Sequence, residues 1–122
     1  KLSELAIGIG PFVVGPAVER KIGTSAFSSM TINAKKWFDA SWAREKGLYA
    51  EVFDTVKEMD TEIEKLSSTL SQSNLEAMKR LKKIMWEGTE HWDTLLMERA
   101  ENSGQLVLSD FTKEAIKKIK NK

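Results

Sequence analysis

The chain has 122 residues and no cysteine, and 19 Lys+Arg against 18 Asp+Glu give a formal net charge of +1. That length is one domain of roughly 100–150 residues or a part of one, and the mixture of 41% hydrophobic and 30% charged residues is that of a globular protein rather than a disordered one. A disulfide framework, a thiolate metal site and a cysteine nucleophile are excluded, the balanced charge argues against a general nucleic-acid binder, and no apolar run reaches the ~18–20 residues of a membrane span.

Residues 1–23 are rich in Gly, Pro and Val and keep neither helical nor strand periodicity. They predict a short strand or extended approach around Leu2–Ile7, a glycine loop, and a short helix from Pro16 to Ile22. Pro16 suits the first helical position and Gly23 the position just past the end. A second short helix is expected over Ala26–Ile32. Asp39 is placed to cap a third, running to Lys46 and closed by Gly47 in a left-handed turn.

Beyond Val52 the pattern is helical. Thr55 and Glu58 have capping-box spacing, and Val56, Met59, Ile63, Leu66 and Leu70 recur at intervals of three and four. One apolar stripe on a helix from Thr55 to Leu70 follows. Ser73 and Glu76 repeat the box ahead of Leu75, Met78, Leu81 and Met85, a second stripe on a helix expected to run to Arg99 with a bend near Gly88. Ser109 or Asp110 caps a last helix carrying Phe111, Ala115, Ile116 and Ile119. A lone strand cannot satisfy its own backbone groups, so the opening segment needs a sheet from elsewhere. The chain is therefore expected to be the C-terminal portion of a larger protein. Lys1 stands first and no signal peptide follows, so a cytoplasmic location is expected.

Few residues are placed to carry chemistry. Glu4 sits among Leu2, Leu5, Ala6 and Ile7 just before the glycine loop. Apolar surroundings disfavour a charged carboxylate, the condition a general acid needs; an exposed charge at a strand end is the alternative. The run Gly8-Ile9-Gly10-Pro11 matches neither a dinucleotide fingerprint nor a phosphate loop. Pro11 also lacks the backbone donor such a cradle uses. His91 is the only histidine, with Glu87 four residues before it, and no third ligand stands nearby; a solvated pair on one helical face is the expectation. Trp37, Trp42, Trp86 and Trp92 suit a core or a subunit interface. The segment 113–122 holds five lysines and one glutamate. It suits a phosphate-bearing ligand, an acidic surface or RNA, or simply the dipole of its helix.

Taken together these segments resemble the C-terminal part of the crotonase superfamily, the enoyl-CoA hydratase/isomerase family. Its pattern of Pro-Glu-hydrophobic-x-hydrophobic-Gly, a Pro/Gly-rich turn and Arg-x-x-Gly is similar to Ser3-Glu4-Leu5-Ala6-Ile7-Gly8, Pro11, Gly15 and Arg20-Lys21-Ile22-Gly23. The family's Ile-Ser-Ala-x-x-Ala-x-x-x-Gly-Leu-Val aligns without a gap on Phe38 to Tyr49, and the resemblance implies a strand next, at Val52. Ala77-Met78-Lys79-Arg80-Leu81-Lys82 and Ser109-Asp110-Phe111-Thr112-Lys113-Glu114 resemble two later helical segments. Departures are Ser3 for the usual proline, Val14-Gly15-Pro16-Ala17-Val18 for a glycine-rich Gly-Gly-Thr-Gln-Arg segment, and Ile119 for an aromatic.

The resemblance implies an α+β parent whose portion here is mostly α. Residues 1–53 would be the C-terminal edge of a spiral ββα core that binds acyl-CoA, and residues 54–122 a helical trimerisation region. It implies acyl-CoA thioesters as substrates, no separate cofactor, and Glu4 as the acid/base at the α-carbon. The two backbone N–H groups of the oxyanion hole would lie upstream, leaving this chain alone inactive. Substrate contacts are implied for Pro11, Phe12, Lys118, Ile119 and Lys122, the last three near the nucleotide end of CoA. Assembly as a trimer or a dimer of trimers is implied, with neither nucleic acid nor membrane as partner. The alternative is a non-catalytic helical self-association module, and a weaker one makes the lysine tail an RNA or membrane contact.

Overall fold

The computed structural model describes residues 1–121; the Lys122 contact expected above lies outside them. The described residues are mostly helical, and no strand occurs among them. The chain divides into two compact units, 1–50 with 93–122, and 51–92. No helix of the described residues is long and apolar enough to cross a membrane.

In the first unit the expected strand at Leu2–Ile7 is instead a 3₁₀ turn, Glu4–Ile7. Ser3 O accepts from Ala6 N–H at 3.1 Å, Leu5 O from Gly8 at 3.2 Å and Glu4 O from Ile9 at 3.0 Å. With no strand beside it, the segment satisfies its backbone groups by curling on itself. The two short helices predicted next run on as one element, α1 (Gly15–Ile32), interrupted at Gly23, whose φ of 74° and ψ of 161° lie outside the helical region. Helix α2 (Ala40–Glu45) begins as expected: the Asp39 carboxylate accepts from Trp42 N–H at 2.7 Å. Gly47 turns left-handed after it, with φ 78°. No strand follows at Val52, because that strand too would need a neighbour that the described residues do not supply.

Helices α5 (Trp92–Val107) and α6 (Asp110–Lys120) supply the rest of this unit. Ser109 caps α6, its hydroxyl accepting from Thr112 N–H at 3.3 Å. The 3₁₀ turn packs against both α1 and α6, and Thr112, in the first turn of α6, is wholly buried. Met30, Ala34 and Ala43 are among the buried apolar side chains of this unit.

The second unit contains α3 (Val56–Ser71) and α4 (Leu75–Met85). The capping box at α3 is complete: Glu58 N–H donates to Thr55 Oγ1 and Thr55 N–H to Glu58 Oε2, both at 3.2 Å. At α4 the cap is Asn74 rather than Ser73, with Asn74 Oδ1 accepting from Ala77 N–H at 2.8 Å. Ser73 instead donates its hydroxyl to Thr69 O at 3.0 Å, and Glu76 pairs with Arg80 at 3.0 Å. Helix α4 stops at Met85 and does not reach Arg99. Gly88, left-handed at φ 81°, breaks the run, and the Trp86 and Trp92 rings meet edge to face at 5.9 Å across the break. Glu87 and His91 therefore lie in a turn and do not share a helical face.

Candidate functional site

Glu4 opens the 3₁₀ turn and is partly buried. Its Oε2 is shielded from solvent and has no hydrogen-bond partner. Three backbone hydrogen bonds and the left-handed Gly8 fix the turn that carries it. Because the turn also packs on α1 and α6, the carboxylate stands on a braced support rather than at a strand end. A carboxylate oxygen held out of water without an internal donor is chemically available to a proton on a ligand.

The glycine loop continues from this turn. Pro11 is buried, and Phe12 N–H donates to Gly10 O at 2.8 Å in a tight turn. The Phe12 ring folds back on Gly10 so closely that a Cβ there would lie 2.2 Å from its Cε1. Arg99 of α5 donates to Phe12 O at 3.3 Å and ties the loop to the helical part of the unit. Glu4, Pro11 and Phe12 thus sit on one braced turn-and-loop segment.

The lysines lie at the other end of α6. Lys117, Lys118 and Lys120 occupy its last turn, where positive charge complements the helix dipole, and Ile119 is 61% exposed. Lys118 is six residues beyond Thr112, which is about 9 Å of helical rise. The first turn of α6 therefore braces the Glu4 turn, while its last turn presents cations away from it.

One feature went unread in the sequence. An open groove of about 450 Å³ is lined by Leu5 and Ala6 of the 3₁₀ turn and by residues 32–36 at the end of α1. Lys35 and Lys36 add positive charge to its lining. Trp37 beyond them is 74% exposed, with Lys1 Nζ 4.6 Å from its ring centroid. The visible signal was the run Lys35-Lys36-Trp37-Phe38, two cations followed by two rings. Among the described residues, no group of three or more His, Cys, Asp or Glu side chains is placed to hold a metal. No protein-family model, curated protein or solved structure matches the chain.

Proposed function

We propose that this chain belongs to an acyl-CoA hydratase or isomerase of the crotonase type and contributes its acid/base, Glu4. The observation that carries the proposal is the shielded, unpartnered Oε2 on a turn braced by α1 and α6. In hydration of a 2-enoyl thioester the water oxygen bonds to the β-carbon and a proton goes to the α-carbon; Glu4 handles that proton. In double-bond isomerisation Glu4 removes a proton from the α-carbon and returns it to the γ-carbon. Charge on the thioester oxygen is met by backbone N–H donors upstream of this chain, where fixed dipoles stabilise it. Pro11 and Phe12 flank the acyl thioester, and the cations of α6 meet the phosphates of CoA. The helical region 54–122 serves assembly into trimers or dimers of trimers.

The test is the rate of hydration of a short 2-enoyl-CoA, and of isomerisation of a 3-enoyl-CoA, by the longer polypeptide that includes this chain. Glu4→Gln keeps the shape and removes the titrating group. A drop in kcat of about 10²–10⁴-fold is expected; equal rates take Glu4 out of the mechanism.

A second reading, a helical self-association module without catalysis, is favoured by a different observation. The apolar stripes of α3 and α4 stay open: Val56, Ile63, Leu66, Leu75 and Leu81 are all more than half exposed. Sedimentation of the chain tests assembly under either reading, and the Glu4→Gln assay separates the two.

A further inference from the structure

The second unit contains two amphipathic helices and no buried residue on either. On α3, Val56, Met59, Ile63, Leu66 and Leu70 alternate at spacings of three and four, the seam of a coiled coil. On α4, Met78, Leu81 and Met85 continue the same alternation. Leu66 is 61% exposed and Met85 63%, so α3 and α4 do not cover each other's seams. Apolar seams left open in this way call for a partner.

The charges beside the seams say what that is. Helix α3 carries four acidic and two basic residues, α4 one acidic and four basic. Ion pairs within each helix, Glu62 with Lys65 and Glu76 with Arg80, use some of them. Among the described residues Asp60 and Glu64 on α3 have no ion pair, nor do Lys79, Lys82 and Lys83 on α4. Asp60 directly follows the seam residue Met59, and Lys82 directly follows Leu81. Asp60 and Glu64 on α3 and Lys79 and Lys82 on α4 therefore flank their seams on the same rotational side; Lys57 shares the α3 edge and leaves it acidic by one charge, and Lys83 lies on the opposite face of α4. Flanks of the same hand meet when two helices pack antiparallel, so the acidic edge of α3 fits the basic edge of α4. A second copy of the chain offers both edges at once.

We propose that residues 51–92 dock on a second copy in a two-fold exchange, α3 of each copy lying antiparallel on α4 of the other. The arrangement is an isologous four-helix contact. It is the kind that a dimer, or a dimer of trimers, contains. It rests on reading this region as an assembly surface and adds the pairing partner, orientation and charge code.

The experiment is sedimentation of the full chain as wild type, as D60K/E64K, as K79E/K82E/K83E, and as an equimolar mixture of the two variants. Helix content by circular dichroism accompanies each. Wild type is expected to associate more tightly at low salt, and each variant alone to lose about tenfold or more in association. The mixture is expected to regain it, because the reversed α3 of one variant then meets the reversed α4 of the other, and the two unreversed helices meet each other across the two-fold. Variants that associate as tightly as wild type overturn the α3–α4 exchange but leave the assembly reading standing. A mixture no better than its components, with helix content intact, shows the charges do not pair between copies and also overturns it. Wild type that stays monomeric at every concentration overturns both, and binding to phosphatidylserine vesicles in that case, lost in K79E/K82E/K83E, would assign the basic edge to a membrane surface.

Discussion

Gly8 lies directly against Thr112. A Cβ at position 8 would stand 2.8 Å from Thr112 Oγ1 and 2.5 Å from the Phe111 ring, and Gly8 holds a left-handed φ of 86°. The contact joins the turn that carries Glu4 to the first turn of α6, so its loss reaches the candidate acid/base as well as the fold.

Gly8→Ala is therefore expected to destabilise the chain by about 2–4 kcal/mol. Roughly 1–2 kcal/mol comes from the left-handed backbone and the remainder from overpacking against Thr112. Gly88 is the control: its φ is 81°, but nothing lies within 4 Å of an added Cβ. Gly88→Ala should then cost only the backbone term, about 1–2 kcal/mol. Urea denaturation of both variants checks the contrast, and equal losses would show that the Gly8–Thr112 contact adds nothing.

The cap of α4 separates two adjacent residues. Asn74→Ala removes the acceptor for Ala77 N–H and should cost about 1 kcal/mol. Ser73→Ala removes only a hydroxyl that back-bonds to Thr69 O and should cost a few tenths. Thermal melts followed by circular dichroism decide between them; a larger loss for Ser73→Ala would return the cap to the position the spacing predicts.

The lysines of α6 are expected to act on binding rather than on chemistry. Replacing Lys118, Lys120 and Lys122 together by Ala in the longer polypeptide should raise KM for acyl-CoA several-fold with little change in kcat. That split marks loss of binding common to ground and transition states. Salt screens exposed charges, so the effect should shrink as ionic strength rises. An unchanged KM at low salt reduces the lysines to partners of the helix dipole.

The Trp86–Trp92 pair offers a spectroscopic handle on the turn at Gly88. Trp92→Phe keeps an aromatic ring at the edge-to-face contact, whereas Trp92→Ala removes it and should cost about 0.5–1.5 kcal/mol beyond the lost burial. Chemical denaturation followed by tryptophan fluorescence measures both, and matching stabilities would show the ring contact to be without weight.

Local rules sufficed wherever a structure is closed by its own neighbours. The Thr55–Glu58 box, the Asp39 cap, the left-handed Gly47 and the apolar stripe of α3 were all legible, because each is settled within one or two helical turns of chain. The same locality misled at Ser73, where Asn74 one residue later offered the better-placed acceptor, and at Gly88, where the break between Met85 and Trp92 won over a continuing apolar rhythm. Glu4 could be singled out as a carboxylate among apolar residues, but its shielded oxygen depends on a turn packed against a helix more than a hundred residues away in sequence. Leu2–Ile7 reads as strand because its side chains suit one, yet a strand is a property of two segments and not of one. The tertiary structure supplied no neighbour, and the backbone satisfied itself by curling. Which stretches pair with distant ones, and which must close on themselves, is decided only in three dimensions, because the partners of a backbone or a seam are not written beside it.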